Sequence, residues 1–217
     1  MAHVFITGGT GYIGRALSER LISRGHAVRA LARRGSEHRI AGGCEIVVGN
    51  ALDDTSYSHA IQPCDTLVHL VGVPHPSPAK AEQFRSVDLP SIRAAVSAAA
   101  KAGVTNFVYV GVAQPAPVME DYIAVRREGE ALIRGAGLNG SILRPWYVLG
   151  PGHRWPLALI PLYRLFELWP GTREAARRLG LVSRLQMIAA LIYAVEHPCQ
   201  DLRVMHVEDI RKALPKD

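Results

Sequence analysis

At 217 residues the chain is long enough for one well-buried core and short for two. Its 25 Lys and Arg against 19 Asp and Glu give a formal charge of +6, but no basic stripe is interleaved with aromatics, so nucleic acid is not expected as a partner. Three widely spaced cysteines (Cys44, Cys64, Cys199), nine histidines without ligand spacing and no apolar run of roughly 18–20 residues argue against a disulfide frame, a metal site and a membrane span, and point to a cytoplasmic protein.

The first apolar run, Val4-Phe5-Ile6, predicts a strand ending at Thr7. Gly8-Gly9-Thr10-Gly11-Tyr12-Ile13-Gly14 follows at once, and Ile13, Ala16, Leu17 and Leu21 then recur at helical spacing. Strand, glycine turn and helix N-terminus form an anion site, because unpaired N–H groups and the helix dipole both point at the turn. Glycines at 8, 11 and 14 would admit a diphosphate against bare backbone, with Thr10, Tyr12 and Ile13 beside it.

Residues 26–32 predict a second strand and 33–37 a polar loop. The end of this strand is where an acidic residue would bind the ribose hydroxyls of NAD; here no carboxylate appears before Glu37, whereas Arg33 and Arg34 suit the 2′-phosphate of NADP. NADP is therefore the expected cofactor, with NAD the alternative if both arginines are solvated loop charges. A third strand is expected over 45–48, followed by Asn50, Ala51 and Leu52, where an adenine edge would sit. Residues 56–61 read as a short helix and 66–71 as a fourth strand, apolar throughout as befits a parallel strand covered on both faces. Val71, Gly72 and Val73 then offer a small apolar step for a ribose.

After a Pro-rich loop at 74–78, an Ala-rich helix is expected over 88–101, a fifth strand over 106–110, a helix over 122–134 and a sixth strand over 140–143. Beyond Gly150-Pro151-Gly152 come an aromatic stretch from Trp155 to Trp169, a basic stretch over 171–184, an apolar helix over 185–195 and a last short strand over 204–207. Strands alternating with helices at this pitch predict an α/β, doubly wound parallel sheet of Rossmann type, a single domain over 1–217 in which 153–217 form a small C-terminal helical lobe facing substrate or partner.

The glycine turn, Ala30-Leu31-Ala32-Arg33, Gly49-Asn50-Ala51-Leu52-Asp53, the stretch 102–110 and Arg144-Pro145-Trp146-Tyr147-Val148-Leu149-Gly150-Pro151-Gly152 together resemble the short-chain dehydrogenase/reductase superfamily. The resemblance covers about residues 1–152 and is to the extended and atypical branches, notably the NAD(P)H-binding, isoflavone-reductase-like and complex-I-accessory-like members. It implies chemistry by a helical Tyr-x-x-x-Lys pair and a Ser after the preceding strand. Here Tyr122 is kept, Arg126 stands in the Lys position and Gly111 in the Ser position, with Gln114 a candidate substitute donor. The resemblance further implies that Gly111, Tyr122, Arg126, Pro145 and Tyr147 border the nicotinamide end; Trp146, Tyr147, His153, Trp155 and Tyr163 are candidates either to line an apolar substrate pocket or to join the C-terminal lobe to the sheet.

Three readings of the pair stay open: acid and charge partner, a cofactor-binding pair that touches ribose without full acid–base work, or a surface i,i+4 pair with Arg126 also within reach of Glu130. Two readings of the protein stay open with them. One is an NADP(H)-dependent oxidoreductase on a small, largely apolar carbonyl or alkene. The other is a non-catalytic NADP(H)-binding sensor or assembly subunit. The 155–169 stretch is expected to help line the pocket or to touch a membrane surface or protein partner.

Overall fold

The computed structural model describes residues 1–116, 118–149 and 178–213. Among them a seven-stranded, all-parallel sheet runs in the order β3-β2-β1-β4-β5-β6-β9. Its strands are β1 (His3–Thr7), β2 (Ala27–Ala32), β3 (Glu45–Val48), β4 (Thr66–His69), β5 (Asn106–Val110), β6 (Gly140–Leu143) and β9 (Leu202–Met205). A separate two-stranded parallel sheet joins β7 (Tyr147–Leu149) to β8 (Leu181–Ser183). The strand order reverses between β1 and β4, which leaves a crevice over the carboxyl ends of those two strands.

Strand residues alternate between two cores, as a period of two requires. Val4, Ile6, Val68 and Val108 face α1 (Tyr12–Ser23) and α5 (Arg184–Glu196), meeting Leu17, Leu21, Met187, Leu191 and Ala194. Phe5, Leu67, Phe107 and Tyr109 face the other way, onto α3 (Leu89–Ala102) and α4 (Glu120–Gly135), meeting Ile92, Ala95, Ala99 and Ile133. The Ala-rich sequence of α3 lets that helix lie close against the strands, and Gly103 in the left-handed region ends it (φ +68°).

The described part of the C-terminal segment, 178–213, supplies β8, α5, the edge strand β9 and α6 (Val207–Lys212). Asn106 at the start of β5 donates from Nδ2 to the Ala194 carbonyl (3.1 Å), tying α5 to the middle of the sheet. The last strand lies at Leu202–Met205 rather than 204–207, because His206 turns out to cap α6. Residues 56–61 do not form one helix. Asp53 accepts from the Thr55 N–H, and the chain makes two 3-10 turns, Asp54–Ser56 and Ser58–Ala60. A further short stretch, α2 (Ala81–Gln83) and a π turn (Phe84–Asp88), leads into α3.

Candidate functional site

The opening turn has no room for side chains. Gly8 sits in the left-handed region (φ +81°), and a Cβ there would lie 2.8 Å from the Leu70 carbonyl carbon. A Cβ on Gly14 would lie 2.3 Å from the Gly8 carbonyl oxygen, so helix α1 rests directly on the turn. The Gly11 N–H donates to the Gly8 carbonyl (3.0 Å) and closes the bend. Gly11 is the N-cap of α1 and brings no capping side chain, and no acidic residue stands in the first turn. The positive end of the helix dipole is thus left for an outside anion. Thr10 and Ile13 flank the bend half-buried, and Tyr12 between them is 37% exposed. The Arg184 guanidinium, from the start of α5, stands 5.0 Å over the Tyr12 ring, a cation that no local pattern places there.

The neighbouring strand ends converge on the same edge. Arg33 and Arg34 are exposed after β2 and make no ion pair among the described residues. The Ser36 N–H donates to the Arg33 carbonyl (2.9 Å), and Gly35 (φ +85°) turns the chain away behind them. After β3 the Asn50 Oδ1 accepts from the Leu52 N–H (3.1 Å), while its own N–H donates to Ser56 Oγ (2.9 Å). Asn50 therefore fixes the turn through its oxygen and keeps its amide donor for a ligand. Ala51 is half-buried beside it and Leu52 exposed. After β4, Val71 and Gly72 are half-buried and Val73 is buried.

Arg126 lies beneath that step, 6% exposed, so the surface-pair reading of Tyr122 and Arg126 is corrected. The Arg126 Nη2 donates to Asp88 Oδ1 (2.5 Å) and Nη1 to the Val110 carbonyl (3.1 Å). The other Asp88 oxygen accepts from the Val73 N–H (3.0 Å). Burial pushes the Asp88 carboxyl upward, against the pull of Arg126 and the Val73 N–H. Burial also works against the Arg126 charge, but the Tyr122 and Tyr109 hydroxyls and Asp88 outweigh it and hold the guanidinium protonated. A Cβ on Gly72 would meet Arg126 Nη2 at 2.3 Å, so Gly72 is the residue that lets the guanidinium reach the β4 loop. Tyr122 is half-buried, 4.9 Å from the Phe84 ring, with the Arg126 guanidinium 5.1 Å from its own ring centre.

Glu130 is not the partner of Arg126. It is 3% exposed and receives Arg144 through both oxygens, Nε to Oε1 (2.9 Å) and Nη2 to Oε2 (2.5 Å). The Gln114 amide Nε2 donates to Glu130 Oε1 (3.1 Å) and its Oε1 accepts from Arg127 Nε (2.9 Å), which takes it out of the role of substitute donor in this arrangement. A Cβ on Gly111 would lie 3.0 Å from Glu130 Oε1, so the buried carboxylate occupies the space beside the family's Ser position. The Ala113 N–H donates to the Pro145 carbonyl (2.9 Å), clasping the loops after β5 and β6. Tyr147 opens β7, half-buried, opposite Leu181. Trp146 packs on the α1–α5 core; His153, Trp155 and Tyr163 lie outside the described residues, as does the whole 155–169 stretch.

One buried polar chain went unread in the sequence. Thr7 Oγ1 and His69 Nδ1 are 2.8 Å apart at the ends of β1 and β4, and Ser91 Oγ lies 3.4 Å from His69 Nε2. Burial first, and the Arg126 charge second, push the His69 pKa down to about 3, so the imidazole is neutral. A His inside an otherwise apolar strand was the available signal for it. Among the described residues no group of His, Cys, Asp and Glu could hold a metal, and no helix is long and apolar enough to cross a membrane.

A parallel sheet reversing at β1, with a side-chain-free turn at a helix N-terminus in that crevice, defines a dinucleotide-binding Rossmann protein. The chain belongs to the NAD(P)H-binding family, whose model matches residues 8–153, and is an atypical short-chain dehydrogenase/reductase-like protein. It is 28% identical over 214 residues to a ceramide reductase of Caulobacter vibrioides, covering 96% of this chain and 65% of that one. It is 31% identical over 145 residues to the (4-alkanoyl-5-oxo-2,5-dihydrofuran-3-yl)methyl phosphate reductase of Streptomyces griseus, covering 65% of this chain and 46% of that one. The chain thus spans less than two thirds of the length of these curated relatives. In fold it is similar to WbmH of Bordetella bronchiseptica solved with NAD+, at TM-score 0.71 and 20% identity over 100% of this chain and 83% of that one. It is also similar to a short-chain dehydrogenase/reductase superfamily protein of Agrobacterium tumefaciens with bound NAD, at TM-score 0.68 and 20% identity over 94% and 77%.

Proposed function

We propose that the protein is an NADP(H)-dependent oxidoreductase acting on a small, largely apolar carbonyl or alkene. The observation that carries the reading is the Gly8–Gly14 turn, where the Gly14 Cβ position is 2.3 Å from the Gly8 oxygen, so that backbone alone would meet a diphosphate. Arg33 and Arg34, exposed and outside any ion pair among the described residues, support NADP over NAD by their fit to a 2′-phosphate. Asn50, Ala51 and Leu52 would take the adenine, and Val71, Gly72 and Val73 the ribose. Gly111, Pro145 and Tyr147 would border the nicotinamide. The reductase names of the Caulobacter and Streptomyces relatives agree with this direction of chemistry.

The bound dinucleotide would supply the hydride. Tyr122 would give the proton to the oxygen or carbon that becomes negative, helped by the fixed positive charge of Arg126 at 5.1 Å from its ring. Arg126 would act as charge and not as proton relay, since a guanidinium does not deprotonate in proteins. With glycine at 111, the work of polarising a carbonyl would rest on Tyr122 alone.

Consumption of NADPH absorbance over a panel of apolar aldehydes, ketones and enones tests the reading. Activity is expected with NADPH and its loss in Tyr122→Phe; unchanged activity in that variant removes Tyr122 as the acid. A second reading, an NADP(H)-binding protein that works through protein contacts, is favoured by the capture of Arg126 by Asp88 and Val110. NADPH binding with no turnover across the panel is its signature. In either case 153–217 would carry the surface that meets substrate or partner.

A further inference from the structure

A cavity of about 360 Å³ opens between α4 and the loop after β5. Arg127, Ala131 and Arg134 line it from α4, Gln114 and Pro115 from the loop, and Arg144 from the end of β6. Positions 127, 131 and 134 fall on one face of the helix, so two long cations stand either side of a methyl-sized floor.

The charge in this cavity is uneven. Glu130 is the one carboxylate of the lining among the described residues, and both its oxygens are taken by Arg144 and Gln114. Arg144 is thereby neutralised, and the positive charge left over belongs to Arg127 and Arg134. Arg127 is anchored through Nε on Gln114 Oε1 (2.9 Å), which steadies the side chain and leaves its terminal N–H groups for a ligand. Arg134 is exposed and bonded to no described side chain.

A monocarboxylate is satisfied by one guanidinium fork, whereas a phosphate monoester can take two. The volume falls within the roughly 300–1,000 Å³ typical of small-molecule sites and exceeds what a bare phosphate fills. We propose that this cavity is a second ligand site, for a small organic phosphate monoester held between Arg127 and Arg134. It uses none of the residues assigned to the dinucleotide, so it stands or falls apart from the cofactor reading.

Isothermal titration of the full chain with glycerol 3-phosphate, with inorganic phosphate and with benzoate, each with and without saturating NADPH, tests the site. Expected are saturable binding of glycerol 3-phosphate in both conditions, benzoate weaker, and a loss of about tenfold in affinity in Arg134→Gln. Arg127→Gln with Arg134→Gln should abolish binding with the melting curve unchanged, since both side chains are exposed. Failure to saturate at tens of millimolar, binding that survives the double variant, displacement by NADPH, or binding of phosphate without glycerol 3-phosphate would each overturn the proposal. If the double variant melts lower, Arg134→Glu alone decides, because charge reversal must still eliminate binding.

Discussion

Arg126 and Asp88, 38 residues apart, meet in an ion pair with 2.5 Å between Nη2 and Oδ1, at 7% and 1% side-chain exposure. The pair ties the start of α3 and the middle of α4 to the loop after β4 and the end of β5, since Asp88 also holds the Val73 N–H and Arg126 the Val110 carbonyl. In this position a lysine would offer a point charge; the guanidinium offers a fork already committed on two sides.

Removing one partner of this pair leaves the other charge buried. Asp88→Ala is expected to cost about 3–5 kcal/mol in urea unfolding, whereas Asp88→Asn, which keeps an acceptor for the Val73 N–H, should cost less. Equal losses in the two variants would assign the whole cost to the unpaired Arg126 charge and none to the Val73 hydrogen bond.

Gly14→Ala places a methyl where the Gly8 oxygen stands, at 2.3 Å. The helix must back off the turn, with an overpacking cost of about 1–3 kcal/mol. Dinucleotide affinity by calorimetry should fall far more than stability does, and a variant that binds normally would place the diphosphate elsewhere.

The two arginines after β2 should matter for one cofactor only. Arg33→Ala with Arg34→Ala is expected to weaken NADPH by about 10–100-fold while leaving NADH nearly unchanged. Thermal shift gives the readout, because a ligand at 100 times its dissociation constant adds about 2.7 kcal/mol. A larger shift with NADH than with NADPH in the parent protein would refute the NADP assignment.

His69 makes stability fall on acidification. Its folded pKa is pushed down to about 3, below the ordinary imidazole value near 6.5, so the unfolded chain takes up a proton that the native one refuses. That stability is complete above the ordinary value and is lost as pH falls towards 3, at up to about 1.4 kcal/mol per pH unit. Glu196 adds to the loss at the acid end: Arg24 first, then His26, hold its carboxyl down at about 2, so its contribution fades as pH drops below the carboxylate range. Denaturant midpoints at pH 4.5 and 6.5 should therefore differ in the parent and converge in His69→Gln; an unchanged gap would assign the acid sensitivity to other groups.

The sheet was legible because parallel strands buried on both faces read as unbroken apolar runs, as in Val4-Phe5-Ile6 or Phe107-Val108-Tyr109. β4 stops at His69, two residues short of the apolar run, because the chain there leaves the ladder to pass the glycine turn. The turn itself was legible, since glycine spacing after a strand has a direct steric meaning at Gly8 and Gly14. Partner choice was not. Glu130 is one turn from Arg126 in sequence, but Arg144, 14 residues on, takes it, and Asp88, from another helix, takes Arg126. Such pairings are decided by which strands are neighbours, and no local pattern records them.

The family match ends at residue 153, yet the layer over β5 and β6 is completed by Met187, Leu191 and Ala194, which share a core with Leu17 and Leu21 of the cofactor-side helix. The nucleotide-cradling half is consequently not autonomous. A fragment cut at the end of the recognised family segment would open that helix's inner face to water and strip the outermost strand from the sheet, so residues 178–213 act as a keystone for the cofactor half.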